Sequence, residues 1–184
     1  MEYIYHIKPE IFKGDSILPL SELKEEYPEI YKKEYKKYKD RVGDVDREIL
    51  PLKTTWESIV NLSTINPIMI LTVAELLGNK TDATSIFKIP ISALKNKDCV
   101  LYTYSNKKES YKKFNINGYE EGDKLPKESI EYLFKESKRN KKPLIFEYIP
   151  HILVADNVSI EDAVEIEYEP GNFNVMADAF LKEV

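Results

Sequence analysis

The stretch His151-Ile152-Leu153-Val154-Ala155-Asp156-Asn157-Val158-Ser159-Ile160-Glu161-Asp162-Ala163-Val164-Glu165-Ile166 decides how this chain is read. The short aliphatic run from His151 to Ala155 has the composition of a buried strand, and Val164 to Tyr168 alternates as a last strand. Between them, Ser159-Ile160-Glu161-Asp162 has the spacing of a capping box. Upstream, Leu144 to Ile149 reads as a strand that His151 to Ala155 extends or pairs with. Pro126 starts a helix through about Arg139 with Ile130, Leu133 and Phe134 inward. Short strands and short helices in alternation predict an α/β, formally α+β, fold in a single domain spanning residues 1–184.

The rest of the chain continues the pattern. Glu2 to Ile7 alternates and is rich in Tyr and Ile, which favours a strand with His6 on one face. Ile17 to Leu20 is a short extended piece, and Ser21 can cap the turn Glu22-Leu23-Lys24-Glu25. Pro28 fits the first turn of a helix running to about Lys39, on which Tyr27, Tyr31, Tyr35 and Tyr38 share one face. That face packs on the core or offers a stacking platform for a base. Its flanking lysines form a solvated face or meet phosphates. Trp56 to Leu62 reads as a short helix, broken by Ser63-Thr64-Ile65-Asn66. Asn66 and Pro67 then cap and open a helix ending at Gly78. Ser85 to Pro90 and Cys99 to Tyr104 read as strands, Ile91 to Leu94 as a helical turn, and 105–123 as a long loop or hairpin excursion.

Composition limits the function. With 42% apolar and 32% charged residues and no apolar run near twenty residues, the chain reads as a globular protein without a membrane span. No signal peptide is visible, and the single Cys99 excludes an internal disulfide, so a cytoplasmic location is expected. Cys99 sits in an apolar run and reads as a core thiol rather than a nucleophile. A net charge of -5 argues against a broadly electropositive nucleic-acid binder. Only Arg41, Arg47 and Arg139 are arginine, so each is weighed as a bidentate anion ligand.

Metal-ligand spacing, glycine-rich phosphate loops and a Ser/His/Asp signature are all missing from the sequence. Six glycines leave little material for a backbone phosphate cradle. The chemistry that remains belongs to the two histidines, His6 and His151, because neutral imidazole both donates and accepts a proton near pH 7. They do not sit in the His-x-Thr or His-x-Ser triplets of two-histidine phosphoesterases. The hydroxyl and amide groups of Ser63, Thr64 and Asn66 stand at a helix start, a place that receives anions or ribose hydroxyls.

The arrangement resembles the ADP-ribosyltransferase superfold, and within it the DarT-like toxins that modify DNA bases. Tyr5-His6-Ile7 matches the opening segment of that family, and a tyrosine-rich helical region carrying Arg41 follows it. Ser63-Thr64-Ile65-Asn66-Pro67-Ile68-Met69 faintly echoes the family's Arg-Ser-Pro-Met segment, and His151 to Ser159 follows the line of its Glu-Phe-Leu-Val segment. The resemblance implies a split β-sheet and NAD as cofactor, held by Tyr5, Arg41, Ser63, Thr64 and Asn66, with His6 and His151 at the reacting centre. It also implies transfer to a nucleic-acid or protein acceptor in a toxin, phage or defence setting. The departure is that His151 occupies the place of the catalytic glutamate. Glu147, if on the same strand, would lie about 13 Å away. RNA 2′-phosphotransferases are similar in working with histidine and arginine without the glutamate. The other reading is therefore a catalytically inactive module that keeps the cleft to bind a nucleotide or a partner.

Overall fold

The computed structural model describes residues 2–38, 42–139 and 142–172. Strands β1 (Tyr3–Ile7) and β2 (Ser16–Ile17) precede helices α1 (Leu20–Glu26), α2 (Pro28–Tyr35) and α3 (Val42–Val45). Strands β3 (Glu48–Ile49), β4 (Thr54–Thr55) and β5 (Val60–Ser63) lead into α4 (Pro67–Leu76). After β6 (Thr84–Pro90), β7 (Cys99–Ser105) and β8 (Lys108–Lys113) come α5 (Lys127–Ser137), then β9 (His151–Val154), β10 (Val158–Ser159) and β11 (Val164–Tyr168). The fold is thus mixed α+β.

Seven strands form one sheet in the order β11-β6-β1-β5-β9-β7-β8, and every neighbouring pair is antiparallel. The pairings are unequal. β1 and β6 share five residue pairs, β5 and β9 share four, but β1 and β5 meet only at Tyr5 and Ser63. Side chains close what the ladder leaves open. On one face, Ile4, Phe87 and Ile89 from one half pack with Val60, Leu62, Ile152 and Val154 from the other. On the opposite face, Tyr5 and Ile86 pack with Leu71 of α4. The α4–α5 layer is sealed by Ile70, Val73, Ala74 and Leu133.

Most elements lie where the local pattern puts them. Asn66 caps α4, its side chain accepting from the Ile68 amide at 3.0 Å, and Gly78 follows with φ 88°. The 105–123 excursion becomes the β7–β8 hairpin and a short 3-10 turn over Ile116–Gly118.

Five readings are corrected. Trp56 to Leu62 is not a helix: Trp56–Ser58 makes one 3-10 turn, and Val60–Ser63 is the central strand β5. There Val60 and Leu62 face one core while Asn61 and Ser63 face the other side, the period-two alternation that pairing to β9 imposes. Leu144 to Ile149 is not a strand, because 145–148 turns back on itself, with Glu147 N–H donating to Leu144 and Ile149 N–H to Phe146. Pro143 and Pro150 bracket it and bring no N–H of their own to a ladder. The Ser159 capping box caps no helix. Ser159 is in β10, and its hydroxyl accepts from the Glu161 amide in a local turn. On α5, Leu133 is buried, but Ile130 and Phe134 are 38% and 48% exposed, and the inward line is Ser129, Leu133 and Glu136. Ser21 lies within α1, whose N-cap is Pro19.

Candidate functional site

Paired residues of antiparallel strands point to the same face. The register therefore lays Tyr5, Ser63, His151, Tyr102 and Tyr111 side by side across β1, β5, β9, β7 and β8. Beyond the Tyr5–Ser63 pair, β1 and β5 part. His6 and Ile7 then pair only with β6, while Leu62 and Asn61 pair only with β9. By alternation His6 leaves β1 on the face opposite Tyr5, yet both His6 and His151 line the cleft at this parting.

The cleft has a volume of about 660 Å³, within the range of about 300–1,000 Å³ usual for small-molecule sites. One wall is aromatic: Trp56 packs edge-on against Tyr102, and Tyr104 stacks on Tyr148 with ring centres 5.4 Å apart. Tyr148 has φ +65°, a conformation that costs a bulky side chain energy and that clusters at functional positions. Glu147, beside it, also lines the cleft.

Arg47 is the best-held cation of the site. Its guanidinium lies 4.3 Å from the Trp56 ring centre and 5.7 Å from that of Tyr102, and Nη1 donates to Glu109. Glu109 in turn accepts from the Tyr111 hydroxyl at 3.0 Å. Stacking and the ion pair together fix the guanidinium plane. Lys37 and Glu34, on the same cleft, form an ion pair at 2.6 Å.

Five buried side-chain polar atoms have no hydrogen-bond partner among the described residues: His6 Nδ1, Arg47 Nε, Asn61 Oδ1, Asn79 Oδ1 and Ser129 Oγ. The first three belong to residues that line this one cleft. An unsatisfied buried polar group costs about 1–3 kcal/mol, so three such atoms on one cleft offer a polar ligand more than an ordinary surface does. Both imidazoles are neutral at pH 7. Burial pushes His6 down to about 4, with Lys37 adding repulsion and the Ile7 backbone offsetting part of it. Burial likewise pushes His151 down to about 4, the Ile149 backbone offsetting and His6 adding to the shift.

A strap crosses the other side of the Tyr5–Ser63 junction, away from the parting. The Tyr119 hydroxyl donates to the Tyr3 carbonyl on β1 at 2.8 Å, the Tyr5 hydroxyl donates to Glu121, and the Gly122 amide donates to the Thr64 carbonyl just past β5 at 2.9 Å. Burial, followed by the bond to Glu121, raises the Tyr5 phenol far above its ordinary range, so it stays a donor.

The residues singled out in the sequence divide as follows. His6, His151, Tyr5 and Ser63 line the cleft. The Ser63 hydroxyl is engaged with the Ile65 backbone at 2.7 Å, and His151 packs edge-on against Phe146. Thr64 and Asn66 are not on the lining: Thr64 donates to the Pro150 carbonyl at 3.0 Å, and Asn66 is committed to its cap. Arg41 lies outside the described residues. Of the tyrosine helix, Tyr38 reaches the cleft, whereas Tyr31 and Tyr35 pack on each other with centres 5.3 Å apart. Sequence reasoning missed Asn61, Trp56, Tyr102, Tyr104 and Tyr148 as site residues, and weighed Arg47 only as one of three arginines. The signal for Asn61 was its polar position between Val60 and Leu62, legible once 60–63 is taken as a strand.

Among the described residues no helix is long and apolar enough to cross a membrane, and no group of three or more His, Cys, Asp or Glu is placed to hold a metal ion. Comparison with protein-family models, with curated proteins and with solved structures gave no match.

Proposed function

We propose that the cleft at the parting of β1 and β5 binds NAD or a related nucleotide, and that this parting is the chain's form of the split sheet of ADP-ribosyltransferases. The observation that carries the reading is the gathering of His6 Nδ1, Arg47 Nε and Asn61 Oδ1, all without partners, on one aromatic-walled cleft. Aromatic faces suit a base or nicotinamide ring, and an arginine held flat by Trp56 and Glu109 suits a phosphate oxygen on its Nε side. Arg47 thereby takes the clamp role expected of Arg41. Two neutral imidazoles stand ready to hold ribose hydroxyls or accept a proton, and the acceptor in this reading is a nucleic acid or a protein, in a toxin, phage or defence setting.

Whether transfer follows binding turns on a carboxylate. Glu147 lines the cleft by virtue of the 145–148 turn, which removes the strand geometry that would have kept it about 13 Å from His151. The second reading, an inactive nucleotide- or partner-binding module, is favoured by His151 itself, neutral and without the fixed negative charge of a glutamate.

Calorimetric titration with ADP-ribose and NAD tests the reading. Arg47→Lys is expected to weaken ADP-ribose binding about 10-fold or more, because lysine keeps the charge and loses the stacked fork. No binding of either compound at millimolar concentration would sink the nucleotide assignment. Nicotinamide release by the parent protein that Glu147→Gln abolishes would make it an enzyme. Release that appears only in His151→Glu would mark a lapsed site.

A further inference from the structure

The two outer strands of the seven-stranded sheet, β8 and β11, each present a row of backbone amides and carbonyls with no strand partner among the described residues. Their charges are opposite. Around β11, five carboxylates and no basic residue lie from Glu161 to Glu169, and Lys8 offsets only Glu165. Around β8 stand Lys107, Lys108, Lys112 and Lys113, and the one carboxylate among them, Glu109, is paired with Arg47. We infer that β8 of one copy of the chain docks on β11 of a second copy, joining the molecules head to tail through their sheets. The inference stands apart from the nucleotide reading and needs neither the cleft nor a ligand.

Topology and register carry it. Six successive antiparallel pairings leave β8 and β11 running in the same direction, so a second copy with the same face outward brings its β8 beside β11 as a parallel ladder. Side chains then meet complements on both faces. Glu165 and Glu167 lie on the face of Phe87, and Lys108 and Lys112 lie on the face of Leu101, which packs in the same core as Phe87. Carboxylates thus meet ammonium groups across the new ladder. On the Tyr5 face, Tyr111 comes beside Val164 and Ile166, and Val164 is 55% exposed in the single chain. Lysine at an edge keeps strands apart, and here it does so for like edges: β8 against β8 sets lysines against lysines, and β11 against β11 sets carboxylates against carboxylates. The mixed pair alone is attractive. It uses different patches on the two molecules, so the association is open-ended rather than a closed dimer.

Sedimentation velocity of the full chain tests it. At about 0.01 M salt, where charges reach about 30 Å, the sedimentation coefficient is expected to rise with protein concentration. At about 1 M, where the reach is about 3 Å, it is expected to return to that of the single chain. Amide exchange under the two conditions is expected to show protection gained in low salt at Lys108–Lys113 and Val164–Tyr168. Two double reversals, Lys108→Glu with Lys112→Glu and Glu165→Lys with Glu167→Lys, are each expected to lose the association. An equimolar mixture of the two is expected to regain it, because each supplies the edge that the other lacks. A single-chain sedimentation coefficient at every concentration in low salt overturns the inference, as does protection gained elsewhere instead. Association that survives either reversal, or folded reversed chains that stay apart when mixed, overturns it too. Sedimentation and exchange of the unmutated chain decide the matter whether or not the reversed chains fold.

Discussion

His6 and His151 carry a measurable signature independent of any ligand. Both have folded-state values near 4 against an ordinary 6.5, so below pH 6.5 the unfolded chain binds more protons than the folded one. The stability these neutral imidazoles support is therefore fully present above pH 6.5 and is lost as pH falls toward 4. Each contributes a slope approaching about 1.4 kcal/mol per pH unit. Urea midpoints at pH 7.5, 5.5 and 4.5 are expected to fall steeply, and the fall is expected to be shallower in the His6→Gln, His151→Gln double variant. Identical slopes in the two proteins would mean that other groups carry the acid limb. Residue identity was legible here: two histidines in a chain of 184 residues drew attention at once. Their burial and their shared cleft were not, because local alternation sends His6 to the face opposite Tyr5, and only the parting of β1 from β5 gives it access.

Elements succeed or fail in the sequence according to where their hydrogen bonds go. The α4 helix is announced by its own cap, and Asn66→Ala is expected to cost about 1 kcal/mol, with chemical denaturation as the measure. Strand β5 carries no such local announcement. Ile59, Val60 and Leu62 suit a helix as well as a strand until β1 and β9 pair with the segment from both sides. The strap is likewise a tertiary element. A Cβ at Gly122 would stand 2.7 Å from Ile65 Cγ1 and 3.4 Å from the Thr64 carbonyl oxygen. Gly122→Ala is therefore expected to destabilise by about 1–3 kcal/mol and to loosen the Tyr5–Ser63 junction next to the cleft, weakening ADP-ribose binding as well. A variant with parental stability and affinity would show that the strap plays no part in shaping the site.

At the scale of the molecule, the two halves of the sheet are joined by one backbone pair and by a core that draws on both, from Ile4 and Phe87 to Ile152 and Val154. Side-chain packing of this kind couples the halves, so far-ultraviolet circular dichroism and Trp56 fluorescence are expected to trace one coincident unfolding transition. Separate midpoints would show that the halves unfold independently. By itself the sequence determined the α+β composition, most strand positions of the seven-stranded sheet and the capped helix α4, because periodicity, caps and proline act within a few residues of the chain. Only the tertiary structure decided that 60–63 is the central strand and that 145–148 is a turn carrying Glu147 into the cleft. It alone brought Arg47, Asn61, Trp56 and Tyr102 to the histidines. Those outcomes depend on partners far away in sequence, whose hydrogen bonds and buried area outweigh a local preference that was never strong.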